Sequence, residues 1–427
     1  DAGGHVATLS GTIFDTAARK AAFEAEALEI ALAPDRLTAK GYVSIVAEDA
    51  ATAAAGSARA WLDLEATPDS AVAATAIVVE GNGQMGAVAG FSDVRGKVDV
   101  EIAADGAVAA LSDLNIIDVQ APPAQIALLA LAADVRHGAV AASLDAVGDS
   151  GSAALTLDIP QGQAHGSLSA IGEVDAALAS AIDPSMSARG RVRFDIEASA
   201  SLADMMADPD LRHVTATASF TAEAPSLTVP PFVDNGSAFG EALLTLSQGA
   251  LTLTSPGLVI GGVALPPESL AALPPDISRA FRETAFLRLG GAGLSDTEIT
   301  MALRPDGGAN AIGTLGLGLS NPNLALFLDG DATLGLDAEG AIEFLASDRM
   351  ALRMVDAALG PARVSGQVTL EGLEGAGDRF TAMAEVALSA SATAGGYRID
   401  RAEVDLAGPL DITPAAVTMT PNAGGRI

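Results

Sequence analysis

The chain contains no cysteine, which excludes disulfides, zinc–thiolate centres and cysteine nucleophiles but leaves the redox compartment open. Aromatic residues make up only 4% of its 427 positions. A compact globule of this length ordinarily pins its core with more Phe, Tyr and Trp, because each buries a large area. The only lysines are Lys20, Lys40 and Lys97, and none follows a Gly-x-x-x-x-Gly stretch, so there is no phosphate-cradling P-loop. The histidines His5, His137, His165 and His213 show no metal-ligand spacing and no neighbouring acid–nucleophile set. Leaving Gly aside, the longest apolar run is Ile126–Ala133, far short of the roughly 20 residues of a membrane-spanning helix. No signal peptide is visible. The chain opens on Asp1 and stops at Ile427 just after a turn-like Asn422-Ala-Gly-Gly425. We therefore expect a piece of a longer protein, with any anchor or export signal outside it.

What is present is small, apolar and acidic. Hydrophobic residues are 49% of the chain, mostly Ala, Val and Leu, with 45 Gly, against 18% charged residues. Small apolar side chains spread over many strands point to a thin, extended core. The net charge is −31 and the pI near 4.2. Such a surface repels phosphate, which argues against nucleic acid and against general adsorption to anionic headgroups. The plainer use of the charge is solubility for a very apolar chain.

The dominant pattern is period-two alternation, the mark of a strand with one buried and one wet face. Val192, Phe194 and Ile196 oppose Arg193, Asp195 and Glu197; Val98, Val100 and Ile102 oppose Lys97, Asp99 and Glu101. Val364, Val368 and Leu370 alternate with Ser365, Gln367 and Thr369. Val386 and Leu388, then Val404 and Leu406, continue the series. Leu244 and Leu246, the turn Gln248-Gly249, then Leu251 and Leu253 read as a hairpin. Three short strands are expected between 323 and 345, marked by Leu324, Leu326 and Leu328, by Leu334 and Leu336, and by Ile342 and Phe344. Turns at Asp329–Asp331 and Asp337–Gly340 would separate them. Short gaps throughout make this a meander rather than a βαβ alternation.

Helical text is scarce. Glu173–Ile182 and Leu202–Met206 fit short helices, Pro267–Thr284 a longer one broken at Pro274-Pro275, and Ser347–Leu359 a helix carrying Met350, Leu352, Met354 and Leu359. Residues 1–427 are expected to form one elongated β-rich segment, with joints near 229–237 and 264–284 where Pro230-Pro231 and Pro266-Pro267 stand. There is no fixed-period repeat.

No chemistry emerges from spacing. Gly148-Asp149-Ser150-Gly151 lacks the second Gly of a nucleophile elbow, since position 152 is Ser152, and reads as a turn. Asp329-Gly330-Asp331 with Asp337 nearby is the best calcium candidate, but without any EF-hand or nonapeptide pattern it reads as turn geometry. Asn235-Gly236-Ser237 fits a glycosylation sequon and, better, a turn. We expect no enzyme and no cofactor.

Lines such as Gly190-Arg-Val-Arg-Phe-Asp-Ile-Glu-Ala198, Ala362-Arg-Val-Ser-Gly-Gln-Val-Thr-Leu-Glu-Gly372, Asp329-Gly-Asp-Ala-Thr-Leu-Gly-Leu336 and Ala402-Glu-Val-Asp-Leu-Ala-Gly408 resemble the AsmA-like superfamily, most of all its TamB and YdbH type. The resemblance is of texture and spans most of the chain. It implies a long, mostly antiparallel sheet curled into an open trough, apolar inside, that moves phospholipid between the two membranes of a bacterial envelope. It also implies a periplasmic place, an inner-membrane anchor outside this chain and envelope membrane proteins as partners at its ends.

A physical argument runs beside the resemblance. A one-faced sheet must cover its apolar side with a second sheet, with helices or with a ligand, and helices are too few here. Either the strands close on a dry core, as in a structural or adhesive β protein, or they leave a groove for phospholipid acyl chains, which make no directional demands. In the groove reading the alternating apolar residues named above are its lining.

Overall fold

The computed structural model describes residues 5–16, 19–50, 52–67, 72–85, 89–121, 124–136, 138–162, 165–178, 180, 183–201, 204, 207, 211–230, 233–263, 291–304, 306–321, 324–338, 342–359, 362–376, 379–394, 397–413 and 416–422. Among these residues there are 23 strands. The chain divides into two units, Asp1–Ala181 with Arg193–Pro209, and Ile182–Val192 with Asp210–Ile427.

Unit 1 is a meander of β1 (His5–Asp15), β2 (Arg19–Ala33), β3 (Arg36–Asp49), β4 (Ala54–Ala66), β5 (Val72–Met85), β6 (Ala89–Ile102), β7 (Val108–Ala121), β8 (Ala124–Arg136), β9 (Ala139–Gly148), β10 (Gly151–Ile159) and β11 (His165–Asp175). Each strand pairs antiparallel with the next. Among the described residues β1 and β11 do not pair with each other, so the meander is not a closed barrel.

Strand β12 (Ser187–Ser201) contributes its first residues to unit 2 and its last to unit 1. Unit 2 continues with β13 (Val214–Val229), β14 (Val233–Ser247), β15 (Ala250–Val263), β16 (Gly291–Leu303), β17 (Ala309–Asn321), β18 (Leu324–Leu336), β19 (Ile342–Leu359), β20 (Ala362–Ala376), β21 (Arg379–Ala394), β22 (Tyr397–Ile412) and β23 (Val417–Met419). It too pairs neighbour to neighbour, antiparallel and open. The expected all-β, antiparallel meander is therefore present.

Mid-strand irregularities bend these long strands. Ala27, Asp118, Asp296 and Asp356 take left-handed φ near +50° inside β2, β7, β16 and β19, the mark of bulges that kink and twist a strand. Register shifts accompany those in β2, β16 and β19. In unit 2 the bending is large enough to see directly. Ala357 on β19 is 1% exposed and packs against Val263 on β15 as well as Leu319, Leu326, Met354 and Val364. Four strand spacings separate β15 from β19, about 19 Å on a flat sheet. Side chains that meet across that interval require a curled one.

Several local expectations are corrected. Ser347–Leu359 is strand, not helix: its Ala, Leu, Met and Arg favour helix intrinsically, but Met350, Leu352 and Met354 also alternate, and pairing on both sides decides. Asp329–Asp331 is not a turn but the middle of β18, which runs unbroken in register with β17. Gly330 is needed there for close approach, since a Cβ would lie 2.5 Å from the Arg349 carbonyl. Asn235, at φ +48°, is a bulge within β14 rather than a hairpin turn. Glu173–Asp175 ends β11, and among the described residues of the expected Glu173–Ile182 helix Ala176–Leu178 (a 3-10 turn) and Ser180 are helical. Asp204 is helical, while the rest of 202–206, and 267–284 with both joint prolines at 266–267, lie outside the described residues. The turns at Asp149-Ser150 and Gln248-Gly249 are as expected.

Candidate functional site: one apolar face in each unit

Residues paired directly across an antiparallel ladder share a face of the sheet, so register alone shows which side chains lie together. In unit 2 one row crosses β13 to β22 as Ala222, Gly240, Leu258, Leu294, Leu317, Leu328, Leu352, Val368, Val386 and Leu406. A second runs Ala216, Leu246, Leu251, Met301, Ala311, Leu334, Leu345, Gly375, Phe380, Ile412 and Val417. Neither contains a polar residue. On the opposite face the neighbouring row reads Thr217, Thr245, Thr252, Thr300, Ile312, Thr333, Ala346, Glu374, Thr381 and Asp411.

Unit 1 repeats the arrangement. Leu9, Ala25, Val43, Ala60, Val78, Gly96, Leu114, Leu131, Leu144, Leu155 and Ala170 form an unbroken apolar row from β1 to β11. Val98, Val100 and Ile102 lie on this same face, paired with Ala76, Ala74 and Val72.

Register brings together most of the residues that alternation singled out. Leu244, Leu246, Leu251, Leu253, Leu326, Leu328, Leu334, Leu336, Val364, Val368, Leu370, Val386, Leu388, Val404 and Leu406 share the apolar face of unit 2. Phe344 does not: it pairs with Gly335 on the polar face, and Leu345 takes the apolar place. The side chains of Leu324 and Ile342 lie outside the described residues. On β12 burial alternates strictly, with Val192, Phe194 and Ile196 on the more covered side. The Phe194 ring lies over Gly172 of β11, where a Cβ would stand 2.8 Å from Cζ. Reading strands singly missed Leu258 and Leu294, because irregularities in β15 and β16 interrupt their alternation; Leu317 and Leu319, because they alternate with Gly316 and Gly318, which give no polar contrast; and Met354, because its stretch reads as helix. It also missed Leu129 and Leu131, because in the continuous apolar run of β8 neither face stands out.

None of the described candidate residues is buried; Ile102 is exposed and the others are half-buried. The buried apolar set among the described residues is instead ten alanines with Leu28, Val233 and Leu373. Large side chains thus line the apolar face half-buried, while full burial falls mainly on alanine.

Ion pairs line the other face. Lys40–Asp63 at 2.6 Å, Lys97–Asp99 at 2.7 Å, Arg193–Glu173 at 2.6 Å and Arg379–Asp411 at 2.8 Å are outward ion pairs. The hydrogen bond from Lys97 holds the Asp99 carboxyl below its ordinary range. Asp331, considered above for calcium, accepts the backbone N–H groups of Asp348 and Arg349 at 3.0 and 3.2 Å. Those bonds, the Asp348 amide first, lower its pKa, and its work is to brace the irregular stretch of β19. Among the described residues no three His, Asp or Glu side chains gather as a metal site. The chain matches no known family and no curated protein.

Proposed function

We propose that this chain binds phospholipid acyl chains along its apolar faces and carries them between membranes of a bacterial envelope, as the AsmA-like resemblance implies. The observation that carries the reading is the unbroken apolar row from β13 to β22, half-buried and lined by Leu and Val. Each methylene moved from water onto such a surface gains about 0.8 kcal/mol when fully covered. A row without polar atoms offers no directional bond to hold a chain at one place, so the chain can slide. The headgroup makes no demand on the face and stays in water. In this reading the protein is a conduit, not an enzyme, and needs no cofactor. It works in the periplasm, held to the inner membrane by a segment outside this chain, with envelope membrane proteins at its ends.

Mass spectrometry of the purified protein tests this. We expect co-extracted phospholipid, and crosslinks to lipid from a photoreactive residue at Leu328 but not at Thr333 on the opposite face. Protein free of lipid, with equal labelling from both faces, would favour the structural or adhesive alternative.

A further inference from the structure

Near one end of unit 1 the apolar face is hollowed. Its second-last row reads Ala21, Ala47, Gly56, Gly83, Phe91 and Val119. Four small residues stand beside one large ring, and the space they leave is a cavity of about 420 Å³. Gly83 cannot be enlarged without moving Phe91, because a Cβ would lie 2.4 Å from its Cε1. Lining residues come from β2 to β7, five strand spacings or about 24 Å on a flat sheet, so the sheet curls around the hollow.

The next row outward begins with Arg19 and Asp49, paired across β2 and β3. Their side chains form an ion pair at 3.0 Å, with Arg19 68% and Asp49 22% exposed. Both line the cavity, together with Glu48. Glu48, paired with Lys20 and Ala55, turns its side chain to the other face, so the apolar hollow ends at a rim carrying one guanidinium and one carboxylate.

We propose that this hollow seats one acyl tail of a zwitterionic, amine-bearing phospholipid, its phosphate at Arg19 and its ammonium at Asp49. The inference rests on the acyl-binding reading above and adds a place and a headgroup class. The volume falls in the range of small-ligand sites. A lipid bearing only negative charge must compete with Asp49 for Arg19, and it approaches a chain of net charge −31. A zwitterion inserts between the paired charges and satisfies both, so electrostatics here selects more than it strengthens.

The cysteine-free sequence permits clean single-site labelling of the full chain. A polarity-sensitive fluorophore on Ala89→Cys, on the hollow's face two residues from Phe91, reports the hollow, and one on Leu328→Cys reports the face of unit 2. The probes are lysophosphatidylethanolamine and lysophosphatidylglycerol of equal tail length, below their micellar concentrations. We expect a saturable response at position 89, tighter for the ethanolamine lipid. Ala54→Phe, which fills the hollow, weakens it about tenfold or more without changing the response at 328. Arg19→Gln with Asp49→Asn removes a two- to fivefold headgroup preference, roughly the worth of an exposed pair. Response at 328 but not at 89 overturns this site and leaves the acyl-binding reading standing; silence at both overturns both. Binding at 89 that ignores Ala54→Phe, and equally ignores the second filling variant Ala47→Leu should the first fail to fold, also overturns the site. Equal affinity for the two lipids, or a preference untouched by the double variant, overturns the headgroup assignment.

Discussion

Val368→Asp separates a lipid-lined face from a dry core. Val368 sits mid-row between Leu352 and Val386, half-buried. A fully buried valine contributes about 1.5–3 kcal/mol over an exposed one, so this position contributes less, and a carboxylate there retains part of its hydration. The stability cost is then about 1–2 kcal/mol, or a fall of roughly 2–8 °C in Tm. In a closed core the same change strands an unpaired charge and costs more than about 4–5 kcal/mol. The control is its neighbour Gln367→Asp on the opposite face, exposed and bonded only to Thr369 Oγ1 at 3.0 Å; it should shift Tm by less than about 2 °C. Lipid crosslinking from a photoreactive residue at Val386 should drop about tenfold in Val368→Asp, because an acyl chain beside a carboxylate forces its desolvation. It should not change in Gln367→Asp. If Val368→Asp unfolds the protein, or folds and crosslinks as before, the groove reading fails.

Three further outcomes follow from local geometry. Gly372, at φ +59° with open space at its Cβ position, should lose about 1–2 kcal/mol on Gly372→Ala from backbone conformation alone, measured by urea titration. Asp331 has a pKa lowered by backbone hydrogen bonds, so its contribution is complete above its unfolded value of about 3.9 and lost as pH falls through the folded one. Asp331→Asn should therefore flatten the fall of Tm below about pH 4; an unchanged acid limb refutes this. The two-toothed Arg379–Asp411 pair, at 2.8 and 3.0 Å and mostly exposed, should leave Tm nearly unchanged on Asp411→Asn, with any difference smaller still at 1 M salt.

The fold class was legible because alternation is local: each of Val98–Ile102, Val192–Ile196 and Val364–Leu370 carries its own evidence. The rows were not legible, because they depend on register between strands, and register turns on bulges. Leu251 and Leu253 alternate, then Leu258 and Ile260 resume with opposite parity. In the sequence that break at Ser255-Pro256 reads as a strand end. In the structure β15 continues through it, with Ser255 Oγ donating to the Glu241 carbonyl at 2.9 Å. The exchange of Phe344 for Leu345 has the same origin, since register shifts near Leu336 and again near Gly330 reset which residues of β19 face inward. Gly330 and Asp331 were read as turn residues for their chemistry, when one permits close approach and the other braces the irregular neighbour.

The same bulges explain the composition. Where a sheet bends, side chains on its inner face converge and the room for each shrinks. Burial in this chain concentrates there: Ala25 and Leu28 flank the shift in β2, Ala224 borders the one in β13, Ala357 the one in β19 and Leu373 the one in β20. Ser255 and Thr297, the most buried polar residues among those described, pair across the bend of β15 and β16. Thr297 Oγ1 also accepts the Gly316 N–H at 3.2 Å, supplying a bond that the interrupted ladder lacks. Larger side chains at these points would flatten the sheet or clash, an overpacking cost of about 1–3 kcal/mol each. Away from the bends the face opens and carries Leu, Val and Met. An aromatic-poor, alanine-rich chain is thus what a strongly bent, one-faced sheet requires: small residues where it folds, and large aliphatic ones on the surface left open between the folds.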